Sequence, residues 1–261
     1  MQVIVLAAGQ GSRLRPLTNT KPKCMVELLG KPLLAYQLEA FRKFGLDNVI
    51  VVGGYKYDQL DTQGAPVMVN ALFAETNMVH TLFCAAEHIN SNQDLLLSYG
   101  DIVYDEQVLQ AILEDDSPCS VIIDKEWKKL WSLRMENPLD DAETLKIDGD
   151  GYISEIGKKP KSYADIEGQY IGMIKVRSDY IDHFKAAWIE MDPGIILDGK
   201  DKNNIYMTSF IQYLIDMSIN FTPIFIDNGW IEIDTVDDLT AYEKLISEGN
   251  HKDIFKSIAN T

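Results

Sequence analysis

The sequence predicts an α/β protein built on a Rossmann-like, mixed but mostly parallel sheet flanked by helices. Three observations lead there: largely apolar, aliphatic runs at Val3–Leu6, Asn48–Val52 and Leu95–Leu97, helical periodicity between them, and glycines where the runs end. A chain of 261 residues, 46% hydrophobic, is long enough to bury such a core as one domain over 1–261.

The first run, Val3-Ile4-Val5-Leu6, reads as a buried strand that stops at Ala7-Ala8-Gly9-Gln10-Gly11-Ser12-Arg13. Without side chains at Gly9 and Gly11, the backbone N–H groups of this loop can approach an anion closely, which is phosphate-binding chemistry. Pro32 to Phe44 reads as a helix: Pro32 suits the first turn, Leu34, Leu38 and Phe41 share a face, and Gly45 closes it. It leads back to the Asn48–Val52 strand and Gly53-Gly54, completing a right-handed βαβ unit whose ligand crevice lies at the strand C-termini. Val67–Asn70 is a short strand and Met78–Ile89 a helix capped by Asn77. Leu95–Tyr99 is a further buried strand ending at Gly100-Asp101, where an ionised carboxylate needs a cation, so Asp101 reads as a magnesium ligand. A polar helix near Glu106–Leu113 and a strand at Val121–Ile123 follow.

From about Trp127 the alternation gives way to strands between irregular polar stretches: Thr144–Ile147, Tyr152–Ile156 and Gln169–Val176, with a hairpin turn at Asp148-Gly149-Asp150-Gly151. We read a smaller second lobe over about 126–261, after a first lobe over about 1–125. Helices return at Ser178–Glu190 and Asn204–Ile219, then strands at Pro223–Ile226 and Trp230–Asp234. Thr235–Ser247 opens with a capping-box pattern at Thr235 and Asp238, and the last residues read as a surface helix.

Charge singles out the first loop. Residues 1–31 carry Arg13, Arg15, Lys21, Lys23 and Lys31 against one acid, Glu27, whereas the whole chain has a net charge of −16. An acidic chain with one basic loop argues against nucleic-acid and anionic-membrane surfaces and for a small polyanion held locally. No apolar stretch approaches the ~20 residues of a membrane span, and no basic segment precedes the first run. Three widely spaced cysteines, Cys24, Cys84 and Cys119, give neither a disulfide framework nor a zinc site, which fits a reducing cytoplasm.

Leu6-Ala-Ala-Gly-x-Gly-Ser-Arg-Leu-x-Pro-Leu-Thr, then Pro22-Lys23 and Gly30-Lys31-Pro32-Leu33, resembles the signature of nucleotidyltransferases that join a nucleoside monophosphate to a phosphorylated acceptor. Tyr99-Gly100-Asp101 is similar to that family's first metal aspartate and Trp230-x-Glu232-x-Asp234 to its second. The resemblance implies the nucleotide-diphospho-sugar transferase type of fold and a magnesium cofactor on Asp101 and Asp234. It also implies an in-line reaction with Arg13 on the leaving pyrophosphate and Lys23 on the α-phosphate. Gly157-Lys158-Lys159-Pro160 resembles the lysine-proline motif whose lysine contacts acceptor phosphate, and we take Lys159 over Lys158. Nucleotide contacts are expected from Leu6, Ala8, Gly9, Gly11, Ser12, Gly53, Gly54, Asn77 and Gly100.

Within that family the Trp-x-Glu-x-Asp motif, with Asn77 opening a helix, looks most like cytidylyltransferases acting on phosphocholine and small phosphonates. The implied reaction transfers CMP from CTP to a small phosphorylated amine, amino acid or phosphonate, by a monomer or homodimer. The alternatives are a sugar-1-phosphate nucleotidyltransferase using UTP, dTTP or GTP and, from another class, a non-catalytic regulatory subunit. Acceptor contacts are expected from Trp127, Trp131, Arg134, Tyr170, Tyr206 and Glu232. Trp127 and Trp131, with the acids Asp140, Asp141 and Glu143 after them, form either an aromatic seat for an ammonium group or anchors fixing a helix to the core. Arg134 would welcome a carboxylate on the acceptor. Two aspartates left unpaired without metal should repel, making Asp101→Asn or Asp234→Asn neutral or stabilising by roughly 0 to 1 kcal/mol.

Overall fold

The first strand, β1 (Gln2–Ala7), is buried at all six positions, because the sheet it starts is covered on both faces. Its side chains alternate between two cores: Val3, Val5 and Ala7 join one, Ile4 and Leu6 the other. The structure, a computed structural model, describes residues 1–256.

Helix α1 (Leu33–Lys43) starts after Pro32 and ends at Gly45, whose φ of 70° lets the chain reverse. Gly45 N–H donates to Arg42 O and Leu46 N–H to Phe41 O, the paired bonds of a glycine-terminated helix, and Leu46 and Phe41 both enter the core. The chain returns as β2 (Val49–Gly53), parallel to β1 with Val3 opposite Val49, and β3 (Val67–Val69) adds a parallel edge. After α2 (Met78–Phe83), β4 (Leu95–Tyr99) pairs in parallel with the other side of β1. Helix α2 stops earlier than expected. Residues Ala86–His88 tighten into a 3₁₀ turn that buries both Ala85 and Ile89.

Next come β5 (Ile102–Tyr104), α3 (Glu106–Glu114), β6 (Cys119–Asp124) and α4 (Trp127–Arg134). A hairpin of β7 (Leu145–Ile147) and β8 (Ile153–Ile156) turns through Asp148, whose carboxylate accepts from the N–H groups of Asp150 and Tyr152. The chain continues through β9 (Gln169–Val176), α5 (Ile181–Ile189), α6 (Met207–Asp216), β10 (Thr222–Ile226), β11 (Trp230–Glu232) and α7 (Val236–Ser247).

The central sheet has seven strands in the order β10-β6-β9-β4-β1-β2-β3. Only β9 runs against the others, between β4 and β6. Of the strands expected in a second lobe, β9 and β10 complete the sheet begun by β1, whereas β7 and β8 pair with each other as a separate hairpin that packs against α6. Helices α1, α3, α4 and α7 contribute to the core on one face, α2, α5 and α6 to the other. The surface helix expected after α7 does not form over 248–256, where His251, Ile254 and Phe255 turn inward and are buried; 257–261 lie outside the described residues. No described helix is long and apolar enough to cross a membrane.

Candidate active site

Strands β1 and β4 lie side by side and end together, so Ala8-Gly9 and Gly100-Asp101 leave the sheet at one place, with Gly100 N–H donating to Leu6 O at 2.9 Å. Here β1, flanked by β4 on one side and β2 on the other, opens a crevice of the kind open α/β sheets use for ligands. Leu6, Ala8, Gly9 and Gly100 line it, faced by Phe73, Thr76, Asn77 and Thr81 from the approach to α2 and the helix itself. The Asn77 side chain accepts from Met78 N–H at 2.8 Å and donates to Asn204 O at 3.3 Å, fixing the helix start.

The basic loop folds over this crevice. Gly11 has φ +59°, and a Cβ there would come within 3.1 Å of Lys23 Cβ, so the close approach that orients Lys23 requires glycine. Thr18 ties the loop by donating to Gly11 O at 2.7 Å. Ser12 is exposed and opens the 3₁₀ turn that presents Arg13. Gly53 and Gly54 stand one layer behind: Tyr55 N–H donates to Ala8 O at 3.2 Å, and a Cβ on Gly54 would collide with Ala8 and Phe73. They support the loop rather than line the crevice. Cys24, on the same wall, is no nucleophile, because burial pushes its thiol up to about 12.

At the mouth of this crevice, residues from opposite ends of the chain meet. Strands β5 and β11 pair antiparallel with Glu232 opposite Ile102, and Ile233 N–H donates to Asp101 O at 3.3 Å. That register sets Asp234 beside Asp101. Carboxylate oxygens of Asp101, Glu232 and Asp234 lie within 4.8 Å of one another. The Lys23 ammonium sits among them, 2.5 Å from Asp101 Oδ2 and hydrogen-bonded to Asp234 Oδ1, while Arg13 reaches Asp234 Oδ1 at 3.2 Å. Burial opposes the charge of Lys23, but Asp101 and Asp234 override it and raise its pKa. Burial likewise works against ionised Asp234, and the Lys23 ammonium overcomes it, holding that carboxyl below its ordinary value. Glu232 is raised, by burial first and then by the Asp234 charge.

The aspartates are therefore paired with Lys23 and Arg13, so the premise of unpaired acids behind a neutral or stabilising Asp→Asn does not hold. The cluster also suits a hard divalent cation. Its donors are all oxygens, and the buried Oδ1 of Asp101 has no hydrogen-bond partner among the described residues.

A second cleft adjoins the first, with Met78 and Tyr99 lining both. Trp131, Tyr170, Tyr206, Glu232 and Asp234 line it, together with Asp141, Glu143, Gln169 and Thr208. Trp127 does not. It is buried, edge-on to Trp131 with ring centroids 5.7 Å apart, and anchors α4. Arg134 does not line the cleft either. Its side chain is 3% exposed and its guanidinium is spent on Glu232 at 2.9 Å, Asp234 at 3.1 Å and Asp238 at 3.3 Å. Lys159 does not line the cleft and donates to the carbonyls of Leu139 and Asp140 at 2.7 and 2.6 Å, while Lys158 pairs with Glu155.

Some contributors carried no sequence signal. Phe73, Thr76, Gln169 and Thr208 belong to no motif and reach the clefts only through the fold. Asp238 is legible as a capping residue, accepting from Thr235 N–H at 2.9 Å, but not as a partner of Arg134.

Residues 3–150 match the MobA-like NTP transferase domain. Over 248 residues, 92% of this chain and 98% of the relative, the sequence is 43% identical to the CTP:phosphoglutamine cytidylyltransferase of Campylobacter jejuni subsp. jejuni serotype O:2. The fold is similar to that of the inositol-1-phosphate CTP transferase from T. maritima, with a TM-score of 0.73 over 98% of both chains at 20% identity. It is also similar to the CTP:phosphocholine cytidylyltransferase from Streptococcus pneumoniae, with a TM-score of 0.66 over 94% of this chain and 98% of that one at 18% identity. At such identities the two structures speak for the fold alone.

Proposed function

This chain belongs to the MobA-like NTP transferase family, and from that premise we propose that it transfers CMP from CTP to the phosphate of a small phosphorylated acceptor, releasing pyrophosphate. The observation that carries the reading is Lys23 held between Asp101 and Asp234 at the junction of two clefts, one floored by strand ends and backbone, the other lined by acids and aromatic rings.

The nucleotide occupies the first cleft and the acceptor the second. An acceptor phosphate oxygen attacks the α-phosphorus, a new P–O bond forms, and the α–β anhydride bond breaks to release pyrophosphate. Lys23 leaves its carboxylate partners to neutralise the α-phosphate, and exposed Arg13 does the same for the departing pyrophosphate. No general base is needed, because a phosphate monoester with a second pKa of about 6 is mostly dianionic at neutral pH. Arg134 acts by position, holding Glu232 and Asp234 in place through buried hydrogen bonds. Asp101 and Asp234 would hold magnesium, with Glu232 beside them. Magnesium supplies charge neutralisation between the phosphates when bound.

A cytoplasmic setting suits both a CTP-consuming reaction and the three unpaired cysteines. The acceptor is small and diffusible, with neither nucleic acid nor membrane involved, and the protein works as a monomer or homodimer. Retention of Arg13, Lys23, Asp101 and Asp234 together favours an enzyme over a regulatory subunit.

The test is pyrophosphate release by the purified protein with magnesium, each nucleoside triphosphate and a panel of phosphorylated amines, amino acids, phosphonates and hexose 1-phosphates. CTP with a small phosphorylated acceptor should turn over. Equal kcat/KM for UTP, dTTP or GTP with a hexose 1-phosphate would move the chain to the sugar-nucleotide branch, and no turnover with any pair would sink the reading.

A further inference from the structure

The acceptor cleft is charged unevenly. Among the described residues four acids line it, Asp141, Glu143, Glu232 and Asp234, and no lysine or arginine does. Glu232 and Asp234 are neutralised by Arg134, Lys23 and Arg13. Among the described residues, neither Asp141 nor Glu143 has an ion-pair partner. Glu143 is half-buried, and the side-chain donor on its carboxylate is the Thr208 hydroxyl at 3.3 Å. A partly desolvated carboxylate beside other acids is costly unless a cation arrives or it takes a proton.

The backbone that carries this carboxylate is held in place. The buried Gln169 side chain clamps the backbone of residue 143 from both sides, accepting from its N–H at 2.9 Å and donating to its carbonyl at 2.6 Å, and donates to Gly168 O at 2.9 Å as well. A fixed, uncompensated acid in a ligand cleft is a seat prepared for a positive charge.

The nearby rings favour one kind of cation over another. A quaternary ammonium has no N–H and depends on free aromatic faces. Here the Trp131 ring has the Arg134 guanidinium 5.6 Å from its centroid, the exposed Tyr206 ring has the Lys200 ammonium at 5.5 Å, and Tyr170 packs against Tyr99 with centroids 5.8 Å apart. Glu143 and the Thr208 hydroxyl instead offer directional hydrogen-bond acceptors.

Deepening the proposed cytidylyl transfer, on which it rests, we infer that the acceptor carries a primary ammonium group that docks on Glu143, with Thr208 as a second partner, and that Glu143 selects it over neutral and quaternary analogues. The negative field of Asp141 reinforces that choice.

The test uses purified protein, CTP, magnesium and three matched phosphate esters: phosphoethanolamine, phosphocholine and ethyl phosphate. The readout is the ratio of kcat/KM between amine and neutral ester, from which a general loss of activity cancels. The wild type should favour phosphoethanolamine over both others by about tenfold or more, the worth of one charge-assisted hydrogen bond. In Glu143→Gln the ratio should fall to about one, and Glu143→Asp should recover part of it. A second readout is pH. Burial, followed by the charges of Asp141 and Asp198, pushes Glu143 up to about 7, and the other groups facing it are Thr208, Tyr99 and Tyr170. With each kcat/KM referred to the dianion of its ester, since the ammonium lowers the second phosphate pKa, the selectivity ratio should therefore rise between pH 6 and 8 in the wild type and stay flat in Glu143→Gln. A ratio near one in the wild type, a Glu143→Gln ratio equal to wild type, or a preference for phosphocholine would each overturn the inference while leaving cytidylyl transfer standing. No pyrophosphate from these or any other acceptor would overturn the reading beneath it and the inference together.

Discussion

The two clefts share walls at Met78 and Tyr99 but are built by different means. The nucleotide side is made largely from backbone at the ends of adjacent strands, with glycines where groups must come close and two cations on one short loop. The acceptor side is made from side chains of segments far apart in the chain, Trp131, Glu143, Gln169, Thr208 and Glu232, brought together only by the complete fold. Conserving a backbone cradle requires little more than strand ends and glycines. An acceptor cleft can change its preference by exchanging single side chains, so the first is suited to what a family shares and the second to what its members differ in.

The largest expected effect lies where the clefts meet. Replacing Arg134 by Met leaves Glu232, Asp234 and Asp238 without their shared cation in a buried setting, and should destabilise by about 3 to 5 kcal/mol, read as a lower denaturant midpoint. A wild-type midpoint with a raised KM for the acceptor alone would instead return Arg134 to direct contact with substrate.

Asp234→Asn sharpens the boundary from the chemical side. It should reduce kcat at saturating magnesium by at least ~10²-fold, the scale of losing a fixed electrostatic contact to a transition state. It should also lower stability without metal, since Asp234 is bonded to Lys23, Arg13 and Arg134. Near-native turnover would remove Asp234 from the reacting centre.

On the acceptor side, Glu143→Gln should stabilise the unliganded protein at pH 8. The carboxyl's pKa is raised from 4.5 to about 7 on folding, so the stability tied to its bound proton is full below about 4.5 and lost as pH rises through about 7. The gain should be about 1 to 3 kcal/mol at pH 8 and vanish near pH 4.5, as followed by thermal melts across that range. A gain independent of pH would mean that Glu143 is not the group titrating.

The smallest effect belongs to Lys159. With its ammonium on the carbonyls of Leu139 and Asp140, Lys159→Ala should change acceptor KM by less than about threefold. A loss of ~10²-fold would show that this lysine swings into the cleft when substrate is present.

The sequence made these two sides unequally readable. Val3–Leu6, Gly9, Gly11, Arg13 and Lys23 lie within one short stretch, where strand pattern, turn chemistry and charge can be seen together. Asp101 and Asp234 were legible as strand-end acids, and the β5–β11 register explains why they meet. Arg134 could not be placed by its type alone. A cation near carboxylates in sequence is either a ligand group or their buried counter-ion, and only its three partners decide. Trp127 and Trp131, at i and i+4, share one helix face and one core, and they separate only because Trp131, a turn further along, also borders the cleft. The glycine pair Gly53-Gly54 reads as ligand contact in sequence because close approach looks the same whether the approaching group is substrate or the chain itself.

Strand β9 has a consequence for how the protein comes into being. It fills the middle of the sheet between β4 and β6, both of which precede it in the chain. During synthesis those two strands emerge first and must wait, with two open edges, until residue 176 has been made. At about 5 to 20 residues per second that wait lasts seconds, long enough for open edges to recruit other chains. The region matching the family domain ends at residue 150, before β9 begins, so a fragment cut to that boundary would keep those edges open permanently. The natural unit of expression is set by the strand that closes the sheet rather than by the extent of the recognisable motif.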